Sequence, residues 1–264
     1  MYQAKSVQVT VRGKAILADV DLRLALGRVV AVVGANGAGK STLLKVMAGE
    51  RKPTGGEILL DERPLPSWPV AALARRRAVL PQLVEIVFPF LAAEVVSLSL
   101  PPHVDRKSGE ALVRRALAAV EMEDFADRIY GTLSGGEKQR VQLARVLAQA
   151  WTGEDTYLLL DEPTASLDLA HQLLILRLAR THAESGGGVM LVLHDLNLAS
   201  MVADEILALK NGSRIAAGPP SAIITNDLIA ALYGVRGEVR GVPDGPFILP
   251  QTVRMPADGG VWTT

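Results

Sequence analysis

The sequence predicts an α/β fold: a parallel sheet with crossover helices, carrying an inserted helical subdomain. Three observations lead there. Val29-Val30-Ala31-Val32-Val33 is a continuous apolar run, β-branched except at Ala31, as in a parallel strand buried on both faces. Two further apolar runs, Tyr157-Leu158-Leu159-Leu160 and Val189-Met190-Leu191-Val192-Leu193, flank a helical pattern over residues 169–184. Alternating strand and helix implies parallel pairing through crossovers. Between Pro81 and Ala150, strand-like runs give way to apolar residues at helical spacing.

Element by element, Val7, Val9 and Val11 alternate as in a half-buried strand. Residues 41–48 read as a helix with Leu43, Leu44 and Met47 on one face. Gly55-Gly56 punctuates the chain before a strand at 57–60, so residues 1–80 read as strands with one helix. Helical patterns cover 92–100 and 108–120, separated by Pro101-Pro102. After Ser221 the pattern loses regularity, and residues 241–264 are rich in Gly and Pro. The expected organisation is one domain over 1–240, with its core at 1–86 and 156–240, a helical subdomain at 87–155, and a C-terminal extension at 241–264.

Composition narrows the class. The 264 residues are 49% apolar and 21% charged, which suits a folded domain with a sizeable core. Lys+Arg and Asp+Glu both number 28, whereas a protein that tracks nucleic acid through its phosphates carries a basic excess; no nucleic-acid partner is expected. With no cysteine, disulfides, thiolate metal sites and cysteine nucleophiles are excluded. The N-terminus lacks the long apolar core of an export signal. No uncharged apolar run reaches the ~18 residues of a membrane span; the best stretch, 87–100, is broken by Pro89 and Glu94. A membrane link, if present, runs through a partner.

The chemistry begins at Gly34-Ala35-Asn36-Gly37-Ala38-Gly39-Lys40-Ser41, followed by Thr42. The pattern G-x-x-x-x-G-K-S follows a buried strand and opens a helix, the context a phosphate-binding loop requires. Its glycines let successive N–H groups close around phosphate, and the helix N-terminus adds favourable dipole charge. Lys40 would neutralise the β- and γ-phosphates, and Ser41 would place its hydroxyl on Mg²⁺.

A second element is Asp161-Glu162, at the C-terminal end of a central strand. Ligands of open α/β sheets sit at that edge. Asp161 would hold Mg²⁺, directly or through its water, and Glu162 would polarise an attacking water.

The third is Leu133-Ser134-Gly135-Gly136-Glu137. Ser134 and Glu137 have the spacing of a capping box, which by itself describes an ordinary helix start. Two glycines in the first turn argue for more, since glycine costs roughly 1 kcal/mol against alanine inside a helix. They make sense where something approaches the backbone closely.

Together these motifs resemble the ATP-binding cassette (ABC) ATPases. Residues 34–42 match the Walker A loop, 133–137 the signature, and Asp161-Glu162 the end of Walker B. Gln82 matches the Q-loop glutamine, Ser166-Leu167-Asp168 the D-loop, and His194 the switch histidine. The motifs occur in the family's order over about residues 5–230. The resemblance implies a P-loop NTPase fold: a RecA-like core, an antiparallel β subdomain and an inserted α-helical subdomain. It implies ATP and Mg²⁺ as ligands and a head-to-tail pair of copies, with nucleotide between residues 34–42 of one and Ser134, Gly135 and Gly136 of the other. Glu162, His194 and Gln82 take the catalytic roles, with Ser41, Gln82 and Asp161 around the metal and Asp168 acting across the pair. One departure stands out: Val9-Thr10-Val11-Arg12-Gly13-Lys14 offers no aromatic residue for adenine, and Tyr2 lies too early in the chain. Adenine would rest on Val11 or Arg12, with weak base selectivity.

The chain has one Walker A loop, one signature and no fused span, as in a stand-alone subunit paired with a permease dimer. Phe88-Pro89-Phe90 with Ala93-Glu94-Val95-Val96, and His194-Asp195-Leu196-Asn197-Leu198-Ala199, resemble importers of haem, ferric siderophores and cobalamin, while the run from Arg140 to Gln149 and the slightly long connection at 150–156 resemble the haem branch most closely. That resemblance implies work at the cytoplasmic face of a bacterial inner membrane and an indirect periplasmic haem-binding partner. Siderophore or cobalamin import, soluble iron–sulfur assembly and a purely regulatory module are the alternatives. The groove near Gln82 to Glu94, floored by Phe88, Phe90 and Leu91, would receive the permease. Arg75-Arg76-Arg77 reads as a solvated helix face, or alternatively as a contact with lipid or permease.

Overall fold

The computed structural model describes residues 1–82, 86–242 and 245–253. The chain opens with β1 (Tyr2–Val11), β2 (Lys14–Leu24), β3 (Val29–Val33), α1 (Lys40–Met47), β4 (Gly55–Leu60), β5 (Arg63–Pro64), α2 (Val70–Arg76) and β6 (Arg77–Leu80). Helices α3 (Ala92–Ser97), α4 (Arg106–Ala119) and α5 (Gly135–Ala150) follow, with no strand among them. Then come β7 (Tyr157–Asp161), α6 (Leu169–Glu184), β8 (Gly188–Val192), α7 (Leu196–Val202), β9 (Glu205–Lys210) and β10 (Ser213–Gly218). The chain closes with α8 (Pro220–Ile223), α9 (Asn226–Tyr233), β11 (Val235–Val242) and β12 (Gly245–Val253).

The central sheet has the order β10-β9-β3-β8-β7-β6, parallel from β9 through β6 with β10 antiparallel at one edge. A separate antiparallel sheet has the order β2-β1-β4-β5, and β11 pairs with β12 as a hairpin. The continuous apolar runs have a direct cause. Val29, Ala31 and Val33 enter one core cluster with most of the helices, while Val30 and Val32 enter another with α1, α2 and the antiparallel sheet. Strands β7 and β8 divide in the same way, Leu158 and Leu160 to one side and Tyr157 and Leu159 to the other. With both faces covered, every position must be apolar.

The sheet and inserted helices follow the expected α/β architecture. Elsewhere the structure adds order. The short helix α2 follows Pro66 and Pro69, where seven residues carry too little periodicity to read. Its arginines diverge: Arg75 is exposed, Arg76 pairs with Asp61 at 2.7 Å, and half-buried Arg77 already belongs to β6. No single charged face exists there. The segment after Ser221 is regular, with α9 capped by Thr225 and ended by left-handed Gly234. The hairpin β11–β12 crosses the expected boundary at 240, while residues 254–264 of the expected extension lie outside the described residues.

Asp204 fixes the start of β9 against β3. Its carboxylate accepts from Val29 N at 2.7 Å, from Arg180 of α6 at 2.8 and 3.2 Å, and from Arg28 at 3.2 Å. Burial opposes its ionisation, but the bonds from Arg180 and Val29 prevail and hold the carboxyl below its ordinary 3.8. A depressed carboxyl contributes stability above its unfolded value and loses it as pH falls through the lower folded value. Asp204→Asn is therefore expected to lower the urea midpoint at pH 7 and to flatten its dependence on pH below the ordinary Asp value. An unchanged midpoint at pH 7 would contradict this clamp.

Candidate active site

The phosphate loop runs from the end of β3 into α1, and its glycines are imposed by packing. Gly34 has φ 151°, and a Cβ there would lie 2.2 Å from the Leu209 carbonyl oxygen of β9. Gly39, at φ 102°, would drive a Cβ to 2.7 Å from Leu17 of β2. Neither position can hold a side chain without moving a neighbouring strand. Ala38 is buried, Ser41 and Thr42 are half-buried, and Asn36 and Gly37 face solvent. Lys40 is buried, with Nζ donating to Gly34 O at 2.8 Å and Ala35 O at 3.1 Å. An ammonium has three donors, so one remains for an anion in the loop. Burial lowers the Lys40 pKa, while the charges of Glu162 and Asp161 oppose that shift.

Asp161 closes β7, fully buried, and accepts a hydrogen bond from Ser41 Oγ on Oδ1 at 3.1 Å. Its Oδ2 is buried without a partner among the described residues. Burial pushes its pKa up, against the Ser41 bond. A buried carboxylate oxygen without a partner is costly; beside a serine hydroxyl it is the hard oxygen donor set that Mg²⁺ takes. The residues present fit that ion.

Glu162 is the centre of the arrangement. It sits at φ 50°, left-handed for a non-glycine residue, with its N–H on Val192 O at 3.2 Å. Such backbone costs energy and persists where the surroundings impose it. His194 Nε2 lies 2.5 Å from Oε1, and Gln82 Nε2 donates to Oε2 at 3.0 Å. The three come from adjacent parallel strands, each just past its C-terminal end: Gln82 after β6, Glu162 after β7 and His194 after β8. The structure thus joins every candidate catalytic residue in one hydrogen-bonded group.

The remaining candidates stand elsewhere. Ser134 caps α5, accepting from Glu137 N at 3.4 Å while Glu137 accepts from Ser134 N at 2.7 Å. A Cβ on Gly135 would meet nothing within 4 Å, and one on Gly136 would lie 3.1 Å from Leu167. Among the described residues, no hydrogen bond or ion pair joins Ser134, Gly135, Gly136 or Glu137 to the phosphate loop. Asp168 caps α6, bonded to the His171 backbone N–H at 2.9 Å and ring Nδ1 at 2.8 Å, and these bonds hold its carboxyl below the ordinary range. His171 was not among the expected site residues; its signal was its place three residues after an Asp cap. Tyr2 is fully buried, its hydroxyl bonded to Met47 O and its ring edge-on to Tyr157. It is core, whereas Val11 and Arg12 at the β1–β2 turn are exposed.

Comparison with known proteins gives a consistent result. The ABC transporter family profile matches residues 17–165. The chain is 46% identical over 264 residues to the "Hemin import ATP-binding protein HmuV" of Mesorhizobium japonicum, covering 96% of this chain and 99% of that one. It is 47% identical over 243 residues to the protein of the same name from Myxococcus xanthus, covering 89% and 91%. Among solved structures, the dimeric ATP-binding cassette MJ0796 bound to ADP and Pi superposes with a TM-score of 0.74 at 28% identity, covering 83% of this chain and 98% of that one.

The geometry at Glu162 generates a direct test. Glu162→Gln keeps both side-chain partners within reach but removes the negative charge. ATP binding, read by fluorescent-nucleotide titration, is expected to persist while turnover falls about 10²–10⁴-fold, the scale of a positioned base. Retained turnover would refute the role.

Proposed function

The chain belongs to the ABC transporter family, and on that premise we propose that it is the ATP-hydrolysing subunit of an importer that moves haem through a separate permease. The observation that carries the hydrolytic part is the convergence of Gln82 and His194 on the two oxygens of Glu162. The cargo follows hemin import proteins 43–47% identical to this chain over nearly its whole length.

The triphosphate lies against the amides of residues 34–42, with Lys40 supplying positive charge. Ser41 and Asp161, with Gln82, would hold Mg²⁺, which when bound would neutralise charge on the phosphates. Glu162 orients the attacking water and accepts its proton. His194 fixes the carboxylate and faces the γ-phosphate, so the water, the base and the phosphorus are aligned before reaction. Ser134, Gly135, Gly136 and Asp168 serve the nucleotide of a second copy. The open space at Gly135, the lack among the described residues of a bond from the signature to its own phosphate loop, and the dimeric state of the MJ0796 cassette support this. Nucleotide joins the two copies and hydrolysis parts them.

No helix among the described residues is long and apolar enough to cross a membrane. The permease would meet the exposed Val87 and Phe88, with the Phe90 ring tilted against Phe88 at 4.9 Å between centroids and Leu91 next in the chain; residues 83–85 of that segment lie outside the described residues. The subunit then works at the cytoplasmic face of the inner membrane, fed from the far side by a haem-binding protein.

The test is reconstitution with the permease in lipid vesicles. Haem uptake is expected to require ATP and to stop with Glu162→Gln, which should also hold an ATP-bound dimer on size exclusion; uptake of a ferric siderophore or cobalamin in place of haem would overturn the cargo. With no aromatic platform at the β1–β2 turn, kcat/KM for GTP is expected within about tenfold of that for ATP, far below the discrimination a hydrogen-bonding base pocket achieves. A larger preference would show a base contact beyond Val11 and Arg12.

A further inference from the structure

The segment carrying His194 is short and sits between two fixed points. Leu193 N donates to Val32 O at 3.1 Å, tying the end of β8 to β3. Asp195 caps α7, accepting from Asn197 N at 2.7 Å and Leu198 N at 3.2 Å. His194 lies between them with its imidazole 45% exposed. Its own carbonyl oxygen accepts a hydrogen bond from the hydroxyl of Tyr233, at 3.4 Å.

Tyr233 comes from a part of the chain that the hydrolytic reaction does not otherwise use. It is the last residue of α9, so its direction is set by a helix pinned at several points. Thr225 Oγ1 caps the start, accepting from Leu228 N at 3.1 Å, and Lys210 Nζ from the end of β9 donates to Ala231 O. Leu228, Ile229 and Leu232 are buried in the same cluster as Leu196, Leu198, Ala199 and Val202 of α7. Asn226 Oδ1 accepts from Val239 N at 2.8 Å, latching the C-terminal hairpin onto α9. The phenol pKa is pushed up to about 12 by burial and then by the Asp195 carboxylate. The hydroxyl therefore keeps its proton and remains a donor across physiological pH.

We propose that Tyr233 is a positioning residue for His194, and that through it the C-terminal α9–hairpin unit holds the imidazole on Glu162. The inference rests on the role given to His194 in the proposed function. A γ-phosphate-facing imidazole works only within a narrow range of placement, and its peptide is otherwise carried on a short exposed turn. The phenol restrains that peptide through its carbonyl oxygen. At 3.4 Å the bond is long for O–H···O, so its removal should cost a modest factor in rate rather than abolish it.

The experiment uses the full chain with Tyr233→Phe, alone and combined with His194→Ala. Tyr233→Phe is expected to lower kcat roughly three- to tenfold, the scale of one neutral hydrogen bond, with KM for ATP within about twofold. In the His194→Ala background the same substitution should have no further effect. An equal loss in both backgrounds, or no loss in the parent, would overturn the proposal. If His194→Ala itself leaves kcat unchanged, the catalytic reading of His194 falls; the positioning claim is then decided without turnover. The chain has four histidines, and the imidazole Cε1–Hε1 NMR signal of His194 should move in Tyr233→Phe while those of His171 and His182 stay in place. A His194 signal that does not move would contradict the proposal.

Discussion

Two hydrogen bonds to one carboxylate govern this molecule. Glu162 is gripped on Oε1 by His194 and on Oε2 by Gln82, and each partner arrives from the strand beside β7. That placement depends on register. Leu80 lies opposite Leu160, Leu160 opposite Leu191, and Asp161 opposite Val192. Parallel strands about 4.8 Å apart bring the residues after their ends within reach of one another. A slip of one residue would turn each side chain to the opposite face. The register is held because alternate residues of β3, β7 and β8 fill two different cores.

Among the described residues, a hydrogen bond couples the phosphate loop to the strand end that carries that group. Ser41, second residue of α1, bonds to Asp161, whose chain neighbour is Glu162. The phosphate loop and the group of Gln82, Glu162 and His194 are thus fixed to the same strand end. The signature residues stand apart, capped and open at Gly135, with no bond to their own loop among the described residues. On the proposed reading one chain supplies two half-sites facing different nucleotides. Motion between copies would then open or close both, with Gln82 linking the hydrolytic centre to the segment that leads into the exposed Val87 and Phe88.

Much of this was legible in the residues because local rules and global packing agree. The apolar runs at 29–33, 157–160 and 189–192 are doubly buried strands, and residues 169–184 coincide with α6. The phosphate loop could be read because packing against Leu209 and Leu17 leaves no room for anything but glycine. Strand order could not be read, since it is set by long-range pairing, and so the convergence on Glu162 was invisible as geometry. Helix α2 was too short to show a period. The C-terminal hairpin was obscured because Gly237, Gly241, Pro246 and Pro250 suggest irregular chain, yet backbone pairing within the hairpin tolerates them. Tyr233 gave no signal, being an ordinary helix-ending aromatic until its hydroxyl is seen to reach His194.

The central claim is that no single copy completes a hydrolytic site. Turnover per chain should be measured over a dilution series while light scattering reports the mass in solution. The account predicts that turnover appears only with the doubled, ATP-bound mass and falls away as the pair dissociates. Full turnover by a species that remains a verified single chain would contradict it.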